Sequence, residues 1–356
     1  AKRRIGCGRR PPPRGRRVAG RWWWWVAWPM VGNEDATSSP SRFDRIPRII
    51  WMLWFDGWDR APELHRRCLE SWELYNLGWE VRPISRRDFP KLIGDFLPTY
   101  ERLRAAMNPL EKFGGFWIPP AAESDLLRLV LLGLYGGVWV DSTMLCRRPM
   151  DEWLPAAAPD GFFAFAPEDI DERLPVMSSF LASEPAHKIV SVWLKRTVEH
   201  WSTPSAQRAD LGFFWVHKLF GLMVGDPLVG RPDPKRIDGE VKRRWSLAPR
   251  ISGEYGVKGP HFWVKYTNKL RPAPTPEYRA IIDDDRETPM WKLTNHEVKL
   301  ADVGPESCYW VLLEETRRHA RAYAAGLGAG GSQLSDAQRL ELARRLLAPG
   351  DAAGCH

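Results

Sequence analysis

An α/β domain is what this sequence predicts. Three observations carry that prediction: a strand–helix–strand succession opening near Arg45, a helix-to-strand passage between Glu123 and Asp141, and a balance of 44% hydrophobic with 27% charged residues over 356 positions, enough for one large core. Ile46–Phe55 reads as a buried strand, because Ile49, Ile50, Trp51, Met52, Leu53 and Trp54 are continuously apolar and Asp56-Gly57 ends the run. Pro62–Tyr75 reads as a helix. Leu64, Cys68, Leu69 and Trp72 recur at three- and four-residue spacing, and Pro62 suits a first turn. Gly78–Ile84 is a second strand and Leu97–Met107 another helix. Strand, helix and strand from the start of the domain point to an α/β architecture of nucleotide-binding type.

The passage from Glu123 to Pro149 carries the most chemistry. Ser124 can cap a helix running from Asp125 through Leu134, with Gly136-Gly137 as its left-handed stop. The short strand Val138-Trp139-Val140 follows at once and delivers Asp141 to its carboxyl end, where open α/β sheets place ligands. Asp125 and Arg128 lie three residues apart on one helix face, so an acid and a base point together. The same spacing also suits a surface ion pair followed by a turn aspartate.

Net charge is +8, but it is not spread along the chain. Residues 1–48 hold twelve Lys or Arg against three acidic residues, which leaves forty basic and forty-one acidic residues for the rest. A basic leader on a neutral body is not the pattern of a groove-reading domain, and no zinc-finger spacing or RNA-binding aromatic signature accompanies it, so nucleic acid is excluded as a partner. Five scattered cysteines supply neither a disulfide scaffold nor paired zinc ligands. The richest apolar run, Leu126–Val140, contains Arg128 and two adjacent glycines and is too short to make a polytopic membrane protein.

Three regions follow. Residues 1–44 form a basic, Trp- and Pro-rich leader, open to reading as a targeting segment or a disordered extension. Residues 45–325 form the catalytic-type domain. Residues 326–356 form a glycine-rich linker, Gly326–Gly331, and a helix, Asp336–Leu347, that docks on the body or binds a partner.

The chain resembles the capsular polysaccharide synthesis family, a relative of DXD-containing, mannosyltransferase-like sugar transferases. The resemblance rests on Ile46-Pro47-Arg48-Ile49-Ile50-Trp51 with Trp54 and Gly57, and above all on Ser124-Asp125 with Arg128 followed by Gly136-Gly137-Val138-Trp139-Val140-Asp141-Ser142-Thr143. A looser third block comprises Ser178-Ser179-Phe180, Phe213–His217 and Lys292-Leu293-Thr294. The resemblance implies a GT-A fold, with a mixed central sheet flanked by helices. It also implies a glycosyltransferase that moves a sugar, with retention, from a nucleotide-diphosphate donor to a glycan or lipid-linked acceptor.

By the same resemblance, Asp125 accepts hydrogen bonds from the donor's base or ribose, while Arg128 and Lys292 face its diphosphate. Asp141 and Thr143 hold Mn²⁺ or Mg²⁺, although a hydroxyl stands where the wider group has a second carboxylate. His217 is open to a functional or a core reading, and His296 is a substitute for a family histidine whose position here is Trp291. Most of the twenty tryptophans read as core, Trp72, Trp193 and Trp201 among them, with Trp54 assigned to the donor pocket. The leader's charge suits peripheral contact with an anionic membrane. A fold-retaining binding protein without turnover is the alternative to an enzyme, favoured by Asp141-Ser142-Thr143 and the missing histidine. A glycoside hydrolase has no identifiable pair of facing carboxylates.

Overall fold

A computed structural model of the protein describes residues 45–107, 120–165, 174–227, 229–231, 233–247, 276, 289–293 and 300–329. The expected leader, His296 and the helix expected at Asp336–Leu347 lie outside them.

In chain order the elements are β1 (Ile49–Leu53), α1 (Glu63–Tyr75), β2 (Glu80–Ile84), α2 (Phe89–Ile93), α3 (Leu97–Met107), α4 (Pro120–Tyr135), β3 (Gly137–Val140), β4 (Met144–Cys146), α5 (Leu154–Ala157), β5 (Phe162–Ala164), β6 (Phe180–Ser183), α6 (Lys188–Ser202), α7 (Trp215–Val224), α8 (Gly239–Leu247), β7 (Met290–Lys292) and α9 (Cys308–Ala329). Five strands form the central sheet in the order β2-β1-β3-β6-β5. β1 runs parallel to β2 and β3, while β6 is antiparallel to both β3 and β5. The sheet is therefore mixed and flanked by helices, as expected. Pro83 sits in β2, an edge strand, where a missing N–H leaves no partner strand unsatisfied.

Both faces of the sheet are covered, which explains the continuous apolar runs. In β1, Trp51 and Leu53 pack with α4, α6 and α7, while Ile50 and Met52 face the opposite layer with Trp72 and Tyr75 of α1. β3 repeats the pattern, with Trp139 on one side and Val138 and Val140 on the other. Leu126, Leu127 and Leu129–Leu132 of α4 are fully buried, so this helix is apolar almost all round. A third apolar cluster joins α1 and α9 through Leu64, Cys68, Trp291, Tyr309 and Leu312. Trp72, Trp193 and Trp201 are core residues, as their helical spacing predicts.

β1 and β2 are shorter than the strands expected at Ile46–Phe55 and Gly78–Ile84, and two helix boundaries also differ. α4 begins at Pro120 rather than at Ser124, because Pro120 fits a first helical turn and two alanines propagate it. Ser124 is consequently an internal helix residue whose hydroxyl donates to the Ala121 carbonyl at 2.7 Å. α9 continues to Ala329, four residues into the segment expected to be a linker. No described helix is long and apolar enough to cross a membrane.

Candidate functional site

The site is built where β3 ends. Gly136 and Gly137, with φ of 64° and 89°, turn the chain sharply from α4 into β3. The turn places Asp125 and Arg128 of α4 beside Asp141, the residue after the strand. A short loop then returns the chain into β4, with the Met144 N–H donating to the Asp141 carbonyl at 2.9 Å. β4 pairs with β7 so that Met144 stands opposite Lys292, and the Leu293 N–H donates to the Thr143 carbonyl at 2.9 Å. A residue 151 positions away in sequence is thereby fixed against the same loop.

Asp141 accepts from three side-chain donors. Its Oδ1 accepts from Arg128 at 3.1 Å and from the Trp139 indole at 3.0 Å, and its Oδ2 accepts from the Lys292 ammonium at 2.7 Å. Arg128, only 3% exposed, also bonds Asp125 at 2.9 Å, the Ser178 carbonyl at 2.6 Å, the Ser178 hydroxyl and Ser124 Oγ at 3.0 Å. Its guanidinium lies over the Trp139 ring. The pair Asp125–Arg128 is thus buried within the site, and the surface-ion-pair reading of that spacing is corrected. The helix turns the pair inward because α4 is enclosed between the sheet and its neighbouring helices.

The two carboxylates differ in proton affinity. Burial pushes Asp125 up to about 7, despite the opposing pull of Arg128. Burial acts on Asp141 in the same direction, but Lys292 first and Arg128 second outweigh it and hold the carboxyl below its ordinary range.

His217, near the start of α7, joins through Ser178, whose hydroxyl lies 3.0 Å from its Nε2. Burial, reinforced by Arg128, lowers it to about 3, so the ring is neutral. Its Nδ1 and the Nε of Arg128 are buried without a hydrogen-bond partner among the described residues. Phe214 packs edge-on to this ring, and Phe213 and Phe214 are both exposed beside it. Both open readings of His217 therefore have a basis: it is buried, and it bonds a residue held by Arg128.

Trp54 approaches the Asp141-Ser142-Thr143 loop indirectly. It packs against His65 with the rings tilted and 4.3 Å between centroids, and His65 Nδ1 lies 3.0 Å from Ser142 Oγ. Sequence reasoning missed His65. Its only signal was a polar residue beside Leu64 on the inward face of α1. Ser178 was visible only as part of a serine-rich segment, and nothing marked it as a ligand of Arg128.

A divalent cation is implied by the resemblance, and the chemistry of the donor set tests the fit. Such a cation wants several anionic oxygens free to face it. Here Asp141 already accepts from two cationic side chains, Ser142 and Thr143 contribute only hydroxyls, and no group of three His, Cys, Asp or Glu that could hold a metal occurs among the described residues. The described residues do not fit a resident divalent cation.

Comparison with known proteins adds the lineage. An uncharacterised glycosyltransferase of Acanthamoeba polyphaga mimivirus is 27% identical over 149 residues, 40% of this chain and 52% of that protein. Glycosyltransferase afumC of Aspergillus fumigatus is 33% identical over 112 residues, covering 30% and 27% of the two chains. Inositol phosphoceramide mannosyltransferase 1 of Schizosaccharomyces pombe is 30% identical over 134 residues, covering 35% and 36%. The chain spans about half the length of these curated relatives, or less. The family model for capsular polysaccharide synthesis proteins matches residues 33–256, from ahead of β1 to beyond α8 and across every candidate site residue except Lys292 and His296, and by that match the chain belongs to the capsular polysaccharide synthesis protein family.

Proposed function

We propose that this protein is a glycosyltransferase that moves a sugar from a nucleotide-diphosphate donor to a hydroxyl of a glycan or lipid-linked acceptor. The observation that carries the reading is the convergence of Arg128 and Lys292 on one carboxylate at the carboxyl end of a central strand. Glycosyl transfer breaks the bond between the anomeric carbon and the diphosphate oxygen, and the electron pair leaves with the diphosphate. Two fixed cations at that point stabilise the charge as it develops. The forked donors of Arg128 suit a phosphoryl oxygen, and Lys292 supplies a compact charge. Asp141 orients both, and Asp125 offers a carboxyl to the donor's ribose or base. The names of the curated relatives, one of them a mannosyltransferase acting on a lipid, support the class. Retention of anomeric configuration is part of the same reading.

A thermal-shift screen of UDP- and GDP-sugars identifies the donor, since preferential binding to the folded state raises the midpoint. Release of free nucleoside diphosphate from that donor then measures turnover. Asp141→Ala is expected to lower turnover by about a hundredfold or more, in line with the loss of a preorganised electrostatic contact. Donor binding without any turnover would instead support a binding protein of the same fold. That second reading draws on the contacts of Asp141 with two cationic side chains and on the hydroxyl at Thr143. The anomeric configuration of the product, read by NMR, tests retention.

A further inference from the structure

We propose that Lys292 takes the place of a divalent cation in this site, so that donor diphosphate is neutralised by side chains of the chain itself. The proposal rests on the donor class inferred above and extends it to how the charge is met. Lys292 is not a loose surface lysine. β7 pairs with β4 in a register that sets Lys292 opposite Met144, and the next residue, Leu293, donates its N–H to the carbonyl of Thr143. The backbone around Lys292 is therefore fixed against the end of the loop that carries Asp141, at Thr143 and Met144. From there the ammonium reaches Asp141 Oδ2 at 2.7 Å, with both side chains only about one-fifth exposed.

Charge counting leads to the same place. Asp125 and Asp141 face Arg128 and Lys292, two carboxyl groups against two basic side chains. A divalent cation bound at Asp141 would sit a few ångströms from both positive groups, with little water to screen them. It would find hydroxyls at Ser142 and Thr143 where hard cations need anionic oxygens. An incoming diphosphate meets the opposite situation. It brings negative charge to cations already in place, and the Lys292 ammonium, with three N–H donors, can bond a phosphoryl oxygen while keeping Asp141. The last residue of β7, in the short β4–β7 ribbon, thus performs the task that the resemblance assigns to a metal.

Mn²⁺ binding to the full chain, followed by electron paramagnetic resonance of the free ion, tests this without reference to activity. The wild type is expected to show no saturable Mn²⁺ site below about 1 mM, a range in which hard-cation sites with fewer anionic ligands fail. Lys292→Met frees an Asp141 oxygen and is expected to bind Mn²⁺ at least about tenfold more tightly than the wild type, and adding Asp141→Asn removes the gain. Lys292→Gln provides a second, polar variant if Lys292→Met does not fold. A wild-type site of about one Mn²⁺ that Asp141→Asn abolishes overturns the proposal, as does a Lys292 variant that folds and gains nothing. With a donor identified, turnover in excess EDTA should stay within about twofold of that in Mn²⁺, and loss of turnover in EDTA also overturns the proposal. If no sugar nucleotide binds at all, the donor reading fails, and the Mn²⁺ titrations still decide the role of Lys292.

Discussion

Asp125 and Asp141 share the guanidinium of Arg128, yet they hold protons very differently. Burial takes Asp125 up to about 7, whereas Lys292 and Arg128 together keep Asp141 below its ordinary range. Near neutral pH, then, Asp125 changes charge while Asp141 stays ionised. Above 7 its two carboxylates balance two cations. Below 7 the site carries one net positive charge, which favours an anionic donor. Affinity for a sugar nucleotide, whose diphosphate diester does not titrate in this range, is expected to rise about three- to tenfold as pH falls from about 8 to about 6, a change of up to one unit in the coupled proton affinity. Asp125→Asn should abolish that dependence. Calorimetric titration at the two pH values decides, and an affinity that is flat or weaker at low pH would show that Asp125 does not titrate in the site. Asp125, Arg128 and Asp141 were legible in the sequence because one helix, one glycine pair and one four-residue strand set their relation locally. The Lys292 contact with Asp141 was not, since it depends on strand pairing across 151 positions. His65 escaped for a similar reason: its meaning comes from Ser142 and Trp54, neither of which adjoins it in sequence.

At the scale of elements, the junction between α4 and β3 holds the site together. A Cβ on Gly137 would lie 2.6 Å from the Ile49 carbonyl oxygen, at a residue whose φ is 89°. The same passage brings the Gly136 carbonyl to the Trp51 indole at 3.0 Å, so β1, α4 and β3 meet there without room for a side chain. Gly137→Ala is expected to cost about 2 to 4 kcal/mol in urea unfolding, the sum of backbone strain and a displaced central strand. A cost below about 0.5 kcal/mol, the range of an ordinary surface substitution, would mean that the junction relaxes easily. The junction and β1 were visible as apolar runs ended by Gly, α1 as apolar periodicity opened by Pro62, and α3 as a helix over Leu97–Met107. The start of α4 was misjudged because serine signals a cap only when its hydroxyl faces an N-terminal N–H, and Ser124 instead bonds a carbonyl one turn back and receives Arg128. β5 and β6 are three and four residues long and carry no alternation that sequence could display.

Over the whole molecule, acid stability is set by groups that oppose one another. His217 is lowered to about 3 and His200 to about 4, in each case chiefly by burial. Both stay neutral in the fold but take up protons once unfolded, so between about pH 4 and their ordinary value of about 6.5 the unfolded chain binds more protons and stability falls as pH falls. Asp125 does the reverse. Its folded affinity lies above its unfolded one, so from about pH 4 to about 7 the folded chain binds the extra proton and stability falls as pH rises. Through Ser178 and Arg128, Asp125 and His217 belong to one network, and in the wild type their two slopes largely cancel. Removing either partner exposes the other. Asp125→Asn should steepen the loss of unfolding free energy between pH 6.5 and 4.5 by about 1.4 kcal/mol per pH unit, and His217→Gln should flatten it by a similar amount. The double variant should return close to the wild-type slope, whatever each substitution costs in absolute stability. Urea unfolding at three pH values in this window measures all four slopes. Single-variant slopes that match the wild type would mean that these two buried groups reach solvent in the folded state, and the donor-facing role inferred for Asp125 would fall with them.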